Sequence, residues 1–303
     1  MSDDQTTAAP LTGDLLDPDF MRRLDQLVVL SRRVFRGVMK GERRSRKKGV
    51  SVEFADYRDY VPGDDLRFID WNIYGRLDRL FLKLFMEEED LFIHILLDTS
   101  RSMDFGNPSK LQVGRQVAAA LGYIGLCGLD RVGVGAAASG ESATFPSTRG
   151  RAQIWKLVRF LTGVHPGGTT DLAESIRRYF LHNRSRGVAI LISDMLDPAG
   201  YEGVLKQLIY QDVDAHVIHI LSREELDPPV AGDLRLVDVE TREATDVTAN
   251  ERLLATYRDN LTSFIGRVKR FATDRGITYT FAPTTMRFEQ LVLESLRRGG
   301  LVR

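Results

Sequence analysis

The residues best placed to do chemistry are oxygen donors in three short stretches: Asp98, Ser100 and Ser102 in L-L-D-T-S-R-S-M, the run Gly167-Gly168-Thr169-Thr170-Asp171, and Asp194 after I-L-I-S. Hydroxyls and carboxylates without histidine or cysteine suit a hard cation, Mg²⁺ or Mn²⁺, in octahedral geometry with ligands at ~2.0–2.1 Å. A loop turning tightly after Leu97 can aim residues 98, 100 and 102 inward while Thr99 and Arg101 face away. If neutral hydroxyls dominate the inner ligands, the cation keeps much of its charge and attracts an external carboxylate. That is adhesion chemistry more naturally than hydrolysis.

Such donors need strands that end together. Leu91 to Leu97 is an apolar run interrupted only by His94, and Val188 to Ile192 is another apolar run, each reading as a buried parallel strand whose carboxyl end delivers the polar residues. Between and after them the pattern alternates. Ser109 to Gly128 reads as a helix with Val113, Val117, Leu121 and Ile124 on one face and Gly114, Gly122 and Gly125 permitting close approach to a sheet. A strand over Asp130 to Ala138 follows, then helices over Arg149 to Thr162 and Asp171 to His182. Gly203 to Tyr210 reads as helix, Ala215 to Leu221 as strand, and Leu234 to Val239 with Glu243 to Val247 as a hairpin. Thr248 with Glu251 predicts a capping box opening a helix to Phe271. A strand over Ile277 to Phe281 and a helix over Met286 to Arg298 close the chain. This alternation predicts an α/β fold: a Rossmann-like, mainly parallel sheet covered by helices on both faces.

Upstream, residues 1–16 are polar and read as a flexible tail. Asp17 and Pro18 open an amphipathic helix through Phe20, Leu24, Leu27, Val28, Val34, Phe35 and Val38, ending near Gly41. Arg43, Arg44, Arg46, Lys47 and Lys48 follow, read as a solvated linker facing acidic neighbours, with a nucleic-acid or anionic-partner patch as the alternative, the nucleic-acid case weakened because no aromatic residues interleave with the run. From Val50 to Phe85 a turn signal, Pro62-Gly63-Asp64-Asp65, and alternation around Leu80, Leu82 and Leu84 predict a small β-containing subdomain whose many Asp and Arg side chains neutralise one another in a structural network or, alternatively, line a surface groove. The expected division is a tail at 1–16, a helix and β-containing region at 17–88, and the α/β domain at 89–300.

Composition narrows the function classes. The 303 residues are 43% hydrophobic and 28% charged, ordinary for a globular chain with a full core, and 42 basic against 42 acidic residues leave no net charge to draw the whole molecule to nucleic acid or an anionic membrane. A single cysteine, Cys127, excludes an intramolecular disulfide and a cysteine-cluster zinc site. No apolar run approaches the ~20 residues of a membrane span, so a cytoplasmic location is expected. Gly133-x-Gly135-x-x-Ala138 lies inside a strand-like run and opens no helix, unlike a dinucleotide loop. No phosphate-binding loop or H-E-x-x-H occurs, and His216 and His219 should point to opposite faces of their strand. A haloacid-dehalogenase site would need a second Asp where Ser100 stands. No complete catalytic constellation emerges, and a metal-dependent, phosphoesterase-like hydrolase on the same carboxylates is the alternative.

The segments D-T-S-R-S, G-G-T-T-D-L and I-S-D, in this order, resemble the metal-ion-dependent adhesion site of von Willebrand factor A domains. With D-Y-R-D-Y-V-P-G-D-D-L-R-F-I-D-W-N and F-L-K-L-F-M-E-E-E upstream, the chain from about Leu16 to Gly300 is similar to the domain-of-unknown-function 58 family. That resemblance implies Mg²⁺ held by Ser100, Ser102 and a threonine, Thr170 with Thr169 in reserve, and Asp98 and Asp194 acting largely through water. It also implies a partner, since such proteins resemble accessory components of MoxR-type AAA+ ATPases, engaged through an acidic residue on the ATPase or a client.

Overall fold

Pro18 presets a helical φ, and Asp17 accepts a hydrogen bond from the Asp19 amide at 3.0 Å, so helix α1 (Pro18–Val38) begins where the sequence predicts. The computed structural model describes residues 15, 17–38, 53–86, 91–137, 143–167, 171–238 and 244–298. These fall into two units, 53–86 and the remainder. The basic residues Arg43 to Lys48, and both Thr169 and Thr170, lie outside the described residues.

The smaller unit contains β1 (Glu53–Asp59), α2 (Trp71–Leu77) and β2 (Phe81–Met86), with β1 and β2 antiparallel. Helix α2 is absent from the sequence expectation; Asp70 nucleates it by accepting from the Asn72 and Ile73 amides at 2.9 and 3.2 Å. The charged side chains pair locally, as in Arg58–Asp64 at 2.7 Å and Arg79–Asp59 at 3.1 Å.

The larger unit continues from α1 with β3 (Phe92–Asp98), α3 (Lys110–Cys127), β4 (Arg131–Ala137), β5 (Thr144–Arg149) and α4 (Ile154–Thr162). Next come α5 (Leu172–His182), β6 (Gly187–Ser193), α6 (Tyr201–Tyr210), β7 (Asp214–Leu221) and the single turn α7 (Arg223–Leu226). A separate hairpin of β8 (Gly232–Val237) and β9 (Ala244–Ala249) leads to α8 (Glu251–Thr273), β10 (Thr278–Pro283) and α9 (Phe288–Arg298). The six-stranded sheet has the order β10-β7-β6-β3-β4-β5 and is parallel except for β5, which runs antiparallel to β4. That is the Rossmann-like, doubly wound order. From β3 the chain moves outward through β4 and β5, then returns to place β6 on the other flank, so the order reverses between β3 and β6.

Strand parity supplies both faces. Ile93, Ile95 and Leu97 of β3 pack with α1, α3, α4 and α9, while Leu96 packs with α5, α6 and α8, and β6 divides in the same way. Close approach of α3 depends on Gly122, where an added Cβ would meet Leu157 Cδ2 at 2.5 Å. Helix α1 buries Phe20, Leu24, Leu27 and Val28 in this core, and Leu15, inside the stretch predicted to be a tail, is buried with them. Its ring contact Phe20–Phe288 at 5.1 Å and ion pair Arg23–Glu289 at 3.3 Å tie α1 to α9, so α1 belongs to the larger unit.

Two local expectations change. Edge strand β5, with Pro146 in its middle, carried no strand signal, because proline is disfavoured in a ladder except at an edge. Helix α8 is capped by Asn250, which accepts from the Leu253 amide at 2.8 Å, rather than by Thr248. Thr248 stays in β9 opposite Asp233 and donates its hydroxyl to that carboxylate at 2.7 Å.

Candidate functional site

The reversal of strand order sets the carboxyl ends of β3 and β6 side by side, the general ligand position in open α/β sheets and here called the crevice. Leu97 and Ile192 are in register, so Asp98 and Ser193 leave the sheet side by side. The Ser193 hydroxyl donates to Asp98 Oδ2 at 2.7 Å and the Ser100 amide to Oδ1 at 2.9 Å. A 3-10 turn over Arg101–Asp104 follows, pinned by fully buried Met103. The turn brings the hydroxyls of Ser100 and Ser102 to 2.9 Å from one another. Predicted residues Asp98, Ser100 and Ser102 thus sit together, with Ser193 added.

Asp98 is electrostatically unsettled. Burial pushes its carboxyl up to about 7, and the charge of Asp194 adds to the effect, against the stabilising hydrogen bonds from Ser100 and Ser193. Asp98 therefore shares this buried region with a second acid, Asp194.

Asp194 has a partner that the motifs did not announce. Its Oδ1 accepts from the Leu196 amide at 3.0 Å, and its Oδ2 accepts from Lys110 Nζ at 2.7 Å. Lys110 opens α3, is completely buried, and also donates to Glu225 Oε1. Burial opposes its charge, but Asp194 and Glu225 outweigh burial and raise its pKa. Glu225 is itself held by a capping box, accepting from the Ser222 amide at 2.7 Å while its own amide donates to Ser222 Oγ at 3.1 Å. A signal for Lys110 existed: a cation in the first turn of a helix opposes the macrodipole and implies a compensating acid nearby.

The third predicted loop is anchored on both described flanks. The Gly167 amide donates to the Thr99 carbonyl at 2.9 Å, tying one flank to the β3 loop. Asp197, after β6, accepts from the Leu172 amide at 3.1 Å, tying the other to the β6 loop. Asp171 caps α5 through the Glu174 amide at 3.0 Å.

Other sequence features resolve as structure. Gly133 and Gly135 make room for Tyr179, whose ring would meet a Cβ at residue 135 at 2.7 Å. His94 pairs with the Tyr179 hydroxyl at 3.1 Å and the Ser185 carbonyl at 2.9 Å. His216 pairs with Thr280 at 3.0 Å, whereas His219 pairs with Tyr279 at 2.8 Å and burial pushes it down to about 4. Among the described residues no three His, Cys, Asp or Glu converge to hold a metal, so a cation in the crevice would depend on hydroxyls. The hydroxyl pair suits that role, because its 2.9 Å separation is close to the roughly 3 Å edge of an octahedron with 2.0–2.1 Å bonds.

Comparison with known proteins places the chain among relatives. An uncharacterized protein of Mycobacterium tuberculosis, Rv1480, is 28% identical over 236 residues, covering 76% of this chain and 74% of the relative. The Mycobacterium bovis protein Mb1516 matches to the same extent. Among solved structures, BatB from Bacteroides thetaiotaomicron overlaps 70% of this chain and 99% of its own at 17% identity and a TM-score of 0.41. The SpRpn10 VWA domain overlaps 68% of this chain and 95% of its own at 14% identity and a TM-score of 0.39. Among the described residues no helix is long and apolar enough to cross a membrane. The family described as "Protein of unknown function DUF58" matches residues 56–263, more than half of the sequence, and the chain therefore belongs to the DUF58 family.

Proposed function

We propose that this protein is a divalent-cation-dependent protein-binding module. The observation that carries the reading is the Ser100–Ser102 hydroxyl pair beside buried Asp98 at the switch point of the sheet. Ser100, Ser102 and Thr170, or Thr169 in its place, would hold Mg²⁺ or Mn²⁺, with Asp98 and Asp194 supporting it through water. The bound ion supplies an electrophilic position for a carboxylate. The chain's own residues do the rest: Ser193 and the Ser100 amide orient Asp98, the turn at Met103 sets the hydroxyls, and Lys110 holds Asp194. The proposed partner is an acidic residue on a MoxR-type AAA+ ATPase or its client.

Titration with Mn²⁺ followed by electron paramagnetic resonance tests the ion. The wild type should bind one ion, and the Ser100→Ala/Ser102→Ala double variant should lose affinity by about a hundredfold or more, given the tenfold to hundredfold that even outer-shell partners contribute. Co-purification with the ATPase, with and without chelator, tests the partner; binding that survives both chelation and the double substitution would refute the reading.

A further inference from the structure

Lys110 is not needed to build the helix it opens. Ser109 already caps α3 through the Gln112 amide at 3.2 Å, and a leucine or methionine could fill the same interior space without a desolvation cost. Instead a fully buried ammonium sits at the positive end of a helix dipole, where a cation is least welcome. Its two hydrogen-bond acceptors explain its presence: Asp194 at the crevice and Glu225 on α7. Of these, Asp194 is completely shielded, with 1% side-chain exposure, whereas Glu225 retains 15%.

We propose that Lys110 is a built-in counter-cation that sets the charge of the crevice. By taking up Asp194 it limits the negative charge available to a divalent ion, so the ion binds less tightly but retains more positive charge for an incoming carboxylate. Lys110 is therefore a positioning residue that trades ion affinity for ligand affinity. Glu225 is its counterweight, held by Ser222 and sharing the ammonium with Asp194. This inference rests on the ion-binding reading above.

Two neighbouring substitutions should then act with opposite signs, which a purely structural role does not require. Lys110→Met keeps the unbranched stem of the side chain, one atom shorter, and removes the charge, leaving Asp194 free to act on the ion. At an effective dielectric constant near 20, one unit charge acting on a divalent ion across several ångströms is ample for a tenfold effect. Glu225→Gln removes the competing acid, commits Lys110 to Asp194 and makes the crevice more positive.

Mn²⁺ titrations of the full chain, read by electron paramagnetic resonance beside thermal melting, decide the matter. Lys110→Met should tighten Mn²⁺ by about tenfold, even as its melting temperature falls. Glu225→Gln should weaken Mn²⁺ about threefold, and Lys110→Arg should keep an affinity near that of the wild type. Weaker Mn²⁺ binding in Lys110→Met, or unchanged or tighter binding in Glu225→Gln, overturns the proposal while leaving the ion site standing. If Lys110→Met does not fold, the Glu225→Gln and Lys110→Arg results carry the decision alone. A wild type that binds no Mn²⁺ at millimolar concentration removes the ion-binding reading and this inference together.

Discussion

Asp70 in the smaller unit and Asp98 at the crevice are both nearly inaccessible carboxylates, at 5% and 0% exposure, yet their surroundings drive them in opposite directions. Asp70 is lowered to about 2, first by its hydrogen bond from Lys83, then by those from the Tyr57 hydroxyl and the α2 amides, which together exceed the cost of burial. Asp98 is raised to about 7, because burial and Asp194 exceed what one amide and two serine hydroxyls return. Burial by itself therefore marks neither a structural nor a functional acid. What separates them is whether the chain supplies the counter-charge: Asp70 has its own lysine, and at the crevice the only buried lysine among the described residues is committed to Asp194 and Glu225.

The largest test of that contrast is the pH dependence of stability without divalent ions. A carboxyl at about 7 in the folded state and near 3.9 when unfolded binds more protons folded than unfolded between those values, so the contribution of Asp98 to stability falls as pH rises from about 4 to about 7, against the opposite slope of His219, which burial holds at about 4. The loss is on the order of 4 kcal/mol at most, at about 1.4 kcal/mol per unit, measured by urea unfolding. The stability difference between wild type and Asp98→Asn should change by this amount between pH 4 and pH 7, since the histidine slope is common to both, and a difference that stays constant with pH would assign the titration to another group. Next in size, Mn²⁺ should stabilise the wild type more at pH 8 than at pH 5, since ionised Asp98 attracts the ion through water more strongly than the neutral acid does; equal shifts in melting temperature would break the comparison.

Asp70 should show the reverse sign. Its contribution is present above about pH 4 and is lost as pH falls through about 2, so acid should release α2 first. Asp70→Ala should speed hydrogen exchange of the α2 amides about fivefold to tenfold, the scale of a lost helix cap, without altering Mn²⁺ affinity. The smallest effect is expected from Tyr57→Phe, which removes one of several donors to Asp70; it should shift the acid transition slightly and leave the crevice untouched.

Legibility followed the range of the interactions. The strands leading to Asp98 and Asp194 were readable because a near-continuous apolar run is what a strand covered on both faces requires. The α3 glycines were readable as close contacts for the same reason. Helix α2 and the cap of α8 were illegible at the scale of a few residues, where Asp70 and Asn250 competed with equally plausible neighbours such as Thr248. Ser193 was visible only as the residue before an aspartate, and its bond to Asp98 spans 95 positions in the chain.

By itself, then, the sequence determined the alternation of strands and helices, the polar residues at the strand ends and the family, all of which depend on local pattern. Only the tertiary structure decided that Lys110 lies buried between Asp194 and Glu225, 84 and 115 residues away, and that among the described residues Asp98 is met by an amide and hydroxyls rather than by a cation of its own. The reason is physical. Residue type sets which charges exist, but the energy of a buried charge depends on what folding places within a few ångströms of it.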